Sequence, residues 1–541
     1  MKAIILSSGR ADKSLTQLYG DIPTGLIPVN GRPGIFFIVN RLIDSGIRDI
    51  YITVGYQGQK LKRLLSNTYE TKVRLHFIET DAAKRPGHSL VKAMSTIDSD
   101  EVIVNLGDTL IAPEDIRNLL SKGRVGTAEC TVAVSNNFYH ADLWCSVKTE
   151  NERVLAMYDS TPVLRDSDLQ VMCGLYLLRN VPSILAAASH IDNPEISDVL
   201  KCANQILCAD VNNWLDFGHI HTLQRTKKNL LEARVFNELS FNDFFGTITK
   251  RSENTFKFID EIKWQVELPE ELKILTPRVV DYSLDEENPH ITMEYYSYQT
   301  VSELWLYSSY DQDVFKEMID KLLRLLIEIK KTERGSVDMQ DFKAMYVEKT
   351  LSRVRAIEKN ETFKKLLSFP TLVINGKEYC NWKGIASDVL ALTDGLWNEE
   401  DTGLIHGDYC FSNILYDISS GIVRLLDPRG RWGKSKYGDI KYDLAKMRHS
   451  ISGGYDFIVN DLFDIEVKED VLEYMLFGFE EKRPIADYFD QKLAESFNVR
   501  QIQLIEGLLF LTMIPYHSNS QRRQYVMYCK AIELLNKVLT H

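Results

Sequence analysis

The sequence predicts an α/β protein of two domains. The first is a mostly parallel sheet with helices on both faces, over residues 1–235. The second is an α+β domain over residues 236–541. Three observations carry this reading. A chain of 541 residues exceeds what one hydrophobic core serves. Residues 1 to about 235 alternate short β-rich runs with amphipathic helices, the pattern of a sheet covered by helices. Late in the chain, Leu404–Gly430 places His406, Gly407, Asp408 and Asn413 in an H-G-D-x-x-x-x-N run, then an apolar strand-like run, Ile422–Leu426, that ends in Asp427.

In the first half Ala3–Leu6, Ile50–Val54, Val73–Ile78 and Val102–Leu106 read as strands, and Pro33–Ser45, Gln59–Ser66 and Leu90–Ile97 as helices. Open sheets of this kind bind ligands at the carboxyl ends of their strands. Ser7, Ser8 and Gly9 follow the first strand directly, so their small side chains let backbone amides approach phosphates. Leu223–Leu239 has helical spacing and no Gly/Pro-rich linker, and reads as a helix leading into the second domain.

The order MKAIILSSGRADK, IPTGLIPVNGRP, GHSLVKA, NLGDTL, CGLYLL and WLDFGHIHTL resembles the sugar-nucleotidyltransferase family. The resemblance implies a Rossmann-like domain that joins a nucleoside triphosphate to a sugar phosphate or phospho-alcohol and releases pyrophosphate. Ser7, Ser8, Gly9 and Lys13 then bind the nucleotide, Lys13 standing where an Arg is usual. Asp108 and Asp216 match the two magnesium-binding carboxylates, a pair able to hold one ion and leave positions for phosphate oxygens. Two family lysines are missing. Thr24 follows Pro23 where one is expected, and the region of Asp159, Ser160 and Pro162 lacks the other. Lys13, Lys84, Arg85 and Lys92 are the substitutes on offer.

Phe245–Lys250 alternates like a strand, Arg251–Asn254 like a turn, and Thr255–Leu268 has helical periodicity. Lys250 is therefore the candidate for ATP phosphates, with Glu261 on the helix as its orienting partner. Lys257 is a rival, but its helical position makes it an exposed partner of Glu261. Ile291–Tyr296 reads as a strand. Residues 312–333 and 340–367 form two long amphipathic patterns, and the apolar stretch Leu504–Ile514 reads as a buried helix.

Asp408 and Asn413 have the spacing of the protein-kinase catalytic loop, with Gly407 replacing its Arg. Phosphoryl transfer needs a carboxylate for the attacking hydroxyl and oxygen ligands for magnesium; Asp408 suits the first, Asn413 and Asp427 the second. This variant, with D-P-R after the second strand, resembles the aminoglycoside phosphotransferase and choline kinase family, protein-kinase-like enzymes that phosphorylate small molecules. The resemblance implies a bilobal domain, with a small lobe over about 240–297 and a large lobe over about 298–541, and places Glu294 and Tyr295 at the hinge between them, against adenine. Asp443, or else Asp439, would steady the loop, and Arg429, Arg431, His449 and Tyr455 lie where an acceptor would meet them.

Together the two resemblances imply a bifunctional enzyme. It would phosphorylate a sugar, polyol or amino alcohol with ATP and Mg2+. The product would then be activated with a nucleoside triphosphate for cell-surface polysaccharide synthesis. The alternatives are a first domain kept only as a binding or assembly module, and a kinase that modifies an antibiotic. A net charge of −12 argues against a general nucleic-acid or anionic-membrane partner. Eight scattered cysteines without a C-x-x-C pair, no signal-like opening and no run of membrane-spanning length suit a cytoplasmic enzyme, compatible with a homo-oligomer.

Overall fold

The structure, a computed structural model, describes all residues except 70–71, 137–142, 160–168, 232–236, 334, 432–434 and 541. It divides into two compact units, one of Met1–Leu230 with Tyr307–Ser309, the other of Leu231–Leu306 with Tyr310–His541.

The first unit is organised by β1 (Lys2–Leu6), β2 (Asp49–Val54), β3 (Arg74–Glu79) and β4 (Glu101–Leu106), side by side in the order β3-β2-β1-β4 and all parallel. The crossovers are α1 (Lys13–Tyr19) and α2 (Gly34–Asp44) after β1, α3 (Gly58–Tyr69) after β2 and α4 (Pro86–Thr96) after β3. Parallel neighbours need long crossover connections, most often helical. Ile4, Val102 and Val104 bury against Leu90, Ala93 and Met94 of α4, the largest driving force available to these apolar runs.

Beyond β4 come β5 (Thr109–Ile111), α5 (Pro113–Gly123), β6 (Cys130–Ser135), β7 (Ser146–Glu150), β8 (Arg153–Tyr158), β9 (Leu169–Arg179), β10 (Ile206–Asp210) and β11 (Trp214–Asp216). The sheet continues as β9-β6-β10-β8-β7. Here β9 runs antiparallel to β4 and β6, while β10 is parallel to β6. The antiparallel sense of β7 and β8 comes from the two-residue turn Asn151–Glu152, both at positive φ, which closes a hairpin. The unit ends on α6 (Ile220–Leu231).

The helix expected to run to Leu239 stops at Leu231, and Asn237–Leu239 belong to a strand. That strand, β12 (Asn237–Asn242), pairs antiparallel with β13 (Thr247–Ser252), and the partner strand overrides a helical periodicity that was only local. The strand expected over 245–250 is shifted by two residues, so Arg251 and Ser252 are strand rather than turn. A shift of two keeps every side chain on its face. Then come α7 (Thr255–Val266), β14 (Val279–Ser283) and β15 (His290–Glu294), giving a four-stranded sheet in the order β12-β13-β15-β14. Phe258 and Ile262 of α7 pack on Ile291 and Met293 of β15.

The rest of the second unit is mainly helical: α8 (Gln312–Thr332), α9 (Lys349–Glu358), then β16 (Ile414–Tyr416) and β17 (Val423–Leu425), followed by α10 (Ile440–Ile451), α11 (Val499–Met513) and α12 (Gln521–Thr540). The long amphipathic pattern over 340–367 is a series of helical pieces. A π turn at Ala344–Glu348 precedes α9, and a break at Lys359–Asn360 follows it. One extra residue in a turn leaves the apolar spacing nearly intact, so the pattern hides the interruption. Every residue of α10 is buried, and α11 buries Leu504–Thr512.

Candidate functional site

In the second unit the hairpin of β16 and β17 is in register Ile414↔Leu425, which sets Asn413 opposite Leu426. The Leu426 amide donates to the Asn413 carbonyl at 2.8 Å, so Asn413 and Asp427 emerge from one end of the hairpin. Asp427 has φ +51°, a left-handed conformation that Asp tolerates better than most residues. The Asn413 amide nitrogen donates to the Asp408 carbonyl (3.1 Å) and to Asp408 Oδ2 (3.0 Å). With its Nδ2 so engaged, Asn413 has Oδ1 to offer a cation. Lys250 Nζ, from β13, lies 2.6 Å from Glu261 Oε1 on α7 and 2.8 Å from Asp427 Oδ1. Burial opposes the charge on Lys250, but the two carboxylates outweigh it and the ammonium is held protonated. Asp408 with Asn413, and Lys250 with Glu261 and Asp427, thus form two bonded groups, joined through the backbone bond from Leu426 to Asn413.

The loop is fixed from behind. Asp443, in the first turn of α10, accepts from the amides of His406 (2.7 Å) and Gly407 (2.8 Å). Burial pushes the Asp443 carboxyl up to about 7, against the pull of those donors. Asp439 caps α10 through Lys441 N and accepts from Tyr346. Trp264 of α7 donates to the Ile405 carbonyl at 2.9 Å. Gly407 has φ +76°, and a Cβ there would lie 2.7 Å from that of Arg429, which is why no larger residue stands before Asp408.

The spacing argument missed Lys446. Its Nζ lies 2.8 Å from Asp408 Oδ1, with its side chain 7% exposed. Burial would raise the Asp408 carboxyl, but Lys446 outweighs it and holds the group down to about 2. Lys446 falls in YDLAKM, where a lysine reads as one more helical charge, and only the packing of α10 under the loop reveals its role.

The amides of Glu294 and Tyr295 are engaged with the carbonyls of Arg278 (3.0 Å) and Gly246 (2.9 Å), and the Glu294 carboxylate pairs with Arg278 at 2.9 Å. His449 is fully buried, stacked on Tyr455 at 4.2 Å between ring centroids, so it is a packing residue. Arg431 lies 3.5 Å from Asp260, and Lys257 is exposed on α7.

In the first unit β5 and β11 pair antiparallel with Asp216 opposite Thr109, which brings Asp216 beside Asp108. The Phe217 amide donates to the Asp108 carbonyl at 2.9 Å. A Cβ on Gly218 would stand 2.5 Å from Asp108 Oδ2, so only glycine admits the approach. Burial and the neighbouring Asp216 push the Asp108 carboxyl up to about 6. A buried and a half-buried carboxylate so close call for a cation, and they suit magnesium, which binds through one or two carboxylates and substrate phosphates. Thr222 and His219 also bond Asp216, His219 Nδ1 at 3.0 Å. Burial disfavours the charge on His219, but Asp216 with Asp108 and Asp12 raises the imidazole. Among the described residues no group of three or more His, Cys, Asp or Glu forms a full metal cage.

Ser7 and Ser8 are buried in the loop after β1; the Ser7 amide donates to Thr53 (3.1 Å), and Ser8 Oγ lies 3.0 Å from Ser89 Oγ. Ser89 in turn donates to Thr80 at 3.2 Å, a hydroxyl chain at the strand ends that spacing did not single out. Gly9 accepts from the Thr24 amide at 3.3 Å, and Lys13 opens α1 on the surface. Thr24 Oγ donates to the carbonyl of Arg10 at 3.0 Å, tying down the loop where a family lysine would project. Of the substitutes, Arg85 pairs with Glu195 at 3.4 Å, and Lys84 and Lys92 are exposed. Ser160 and Pro162 lie outside the described residues. Among the described residues no helix is long and apolar enough to cross a membrane.

Comparison with known proteins matches the two halves to two families. Residues 2–233 match the nucleotidyl transferase family, and residues 251–484 match the phosphotransferase enzyme family. Curated relatives include the bifunctional protein GlmU of Bacillus mycoides, 24% identical over 222 residues, 38% of this chain and 46% of that protein. GlmU of Symbiobacterium thermophilum is 30% identical over 122 residues, 22% of this chain and 24% of that protein. The chain therefore spans less than half the length of these relatives. Among solved structures, a UDP-glucose pyrophosphorylase complexed with UDP-glucose gives a TM-score of 0.37 at 16% identity, covering 43% of this chain and 99% of that one. A UDP-glucose pyrophosphorylase from Acinetobacter baumanii gives 0.37 at 18%, covering 43% and 94%. Both matched families are enzymatic, and the chain joins a nucleotidyl transferase domain to a phosphotransferase-family domain.

Proposed function

We propose that the chain is a bifunctional enzyme whose second unit phosphorylates a small hydroxyl compound with ATP and whose first unit activates the phosphorylated product as a nucleotide derivative. The setting we propose is supply of cell-surface polysaccharide precursors. The observation that supports the kinase reading is the placing of two bonded groups, Asp408 with Asn413 and Lys250 with Glu261 and Asp427, at one end of the hairpin of β16 and β17.

In this reading Lys250, oriented by Glu261, binds the ATP phosphates. Asn413 Oδ1 and Asp427 hold magnesium, which when bound neutralises charge on the phosphates. Asp408 orients the acceptor hydroxyl. The acceptor oxygen–Pγ bond forms as the bond from Pγ to the bridging oxygen breaks; ADP leaves with the electron pair, and the hydroxyl proton passes to Asp408. Held down to about 2, Asp408 is a weak base, which suits a loose transition state in which the proton is lost late. In the first unit Asp108 and Asp216 hold the cation, and Ser7, Ser8, Gly9 and Lys13 line the nucleotide loop.

The test is a screen of sugars, polyols and amino alcohols for acceptor-dependent ADP release by the intact chain. Asp408→Ala is expected to lower turnover by roughly a hundredfold or more while the protein stays folded, in the range of a lost positioned acid–base group. Near-normal turnover in that variant refutes the kinase site.

A second reading of the first unit is favoured by Thr24, whose hydroxyl is spent on the loop it should serve. Without the family lysines the unit would be a binding or assembly module. Pyrophosphate release, measured with each of the four nucleoside triphosphates and a panel of sugar phosphates, separates the two. No turnover, with nucleotide binding unchanged in Asp108→Ala, favours the module.

A further inference from the structure

Past the last residue of α10, Ser452 forms part of the wall of a cavity of about 400 Å³ within the second unit. The strand Lys377–Cys380 contributes Lys377 and Glu378 to the lining, and α12 contributes Lys530, Glu533 and Lys537. The lining thus holds three lysines and two glutamates. Both carboxylates are already engaged, Glu378 by the Thr371 hydroxyl at 2.9 Å and Glu533 by the Tyr474 hydroxyl at 2.6 Å. Among the described residues none of the three ammonium groups makes an ion pair or a side-chain hydrogen bond.

Lys530 is the half-buried one of the three. Its Nζ sits over the rings of Tyr474, 5.5 Å from the centroid, and Phe479, 5.4 Å from the centroid. Ring faces attract the charge but leave three N–H donors without an oxygen to receive them. Burial lowers the Lys530 ammonium although Glu533 and Glu506 oppose it, so an anion entering the cavity would restore what burial removes. The Ser452 hydroxyl is also buried with no hydrogen-bond partner among the described residues.

A lysine ammonium is a compact charge with three rotatable donors, and three of them about one cavity suit the doubly charged phosphate better than a carboxylate. A volume of about 400 Å³ lies in the range of small-molecule sites and leaves room beyond a bare phosphate ion. We propose that this cavity binds a phosphate monoester of a small sugar or polyol, its phosphate on Lys530 and flanked by Lys377 and Lys537. The cavity shares no lining residue with Asp408 and its partners, and binding there does not depend on the kinase reading.

The test is calorimetric titration of the intact chain, without nucleotide or metal, with glycerol 3-phosphate, glucose 1-phosphate and glucose 6-phosphate. Inorganic phosphate, glycerol and glucose are titrated alongside. At least one ester is expected to bind about tenfold or more tightly than inorganic phosphate and than its neutral parent. Lys530→Met is expected to weaken that ester by about tenfold or more, the scale of a lost hydrogen bond to a charged group. Ester binding that Lys530→Met leaves unchanged lies elsewhere in the chain and refutes the proposal, as does the absence of ester binding at millimolar concentration. Inorganic phosphate held as tightly as the esters overturns the ester assignment. Should Lys530→Met fail to fold, the double variant Lys377→Ala with Lys537→Ala, both at exposed positions, decides the matter. Weakening of the ester by about threefold or more there supports the proposal, in the range of two exposed charges, and unchanged binding refutes it.

Discussion

His406 is fully buried, its Nδ1 accepts from the Asp408 amide at 3.3 Å, and burial lowers the imidazole to about 4. The folded chain therefore keeps His406 neutral where the unfolded chain, with an ordinary imidazole near 6.5, already binds a proton. Stability contributed by the neutral ring is complete above about pH 6.5 and is lost as pH falls toward 4, by up to about 3 kcal/mol. His406→Asn offers an oxygen in place of Nδ1 and does not titrate. Its melting temperature is expected to fall less steeply between pH 7 and 4.5 than that of the wild type; the slope is shallower rather than flat, because His517 is also held at about 4. An identical slope would show that His406 is not the group responsible. The identity of such residues was legible in the sequence because the H-G-D-x-x-x-x-N spacing is local. Lys446 was not legible, because its contact with Asp408 spans 38 positions of chain and depends on α10 packing beneath the loop.

Short pairings between elements, rather than individual side chains, set the separation of the carboxylates. In the first unit β5 and β11 carry Asp108 and Asp216 to one edge, and Gly218 permits their approach. Gly218→Ala is expected to push the Asp108 carboxyl aside at a cost of about 1–3 kcal/mol in stability, the usual range for overpacking. Pyrophosphate release, the readout for the proposed activity, should drop by about tenfold or more, in the range of a catalytic group displaced by about an ångström. Unchanged release would mean the pair tolerates a wider spacing. The alternation of strands and helices up to β4 was readable because apolar runs and amphipathic stretches alternate cleanly there. The end of α6 was not, because no Gly or Pro marks it and Asn237–Asn242 become a strand only through pairing with Thr247–Ser252. The broken helices before and after α9 were obscured for a related reason: a π turn keeps the apolar face almost in phase.

At the scale of the molecule, each proposed site draws all its residues from one unit: Asp108 and Asp216 from the first, Lys250, Glu261, Asp408, Asn413 and Asp427 from the second. The two activities are therefore expected to fail separately. Asp108→Ala should leave acceptor-dependent ADP release within about twofold of the wild type, and Asp408→Ala should leave pyrophosphate release equally untouched, the additivity of independent sites. Loss of both activities in either variant would reveal coupling.

One contact sets how the kinase site is loaded. The ammonium of Lys250 sits on Asp427, the carboxylate proposed to take magnesium. A bare divalent ion must evict that ammonium and gains no phosphate in exchange, whereas a metal already chelated by a triphosphate delivers the anion to which Lys250 transfers. Magnesium and nucleotide should accordingly arrive as a single chelate, and calorimetric titration of the nucleotide-free protein with magnesium chloride should show little heat from the second unit until ATP is added.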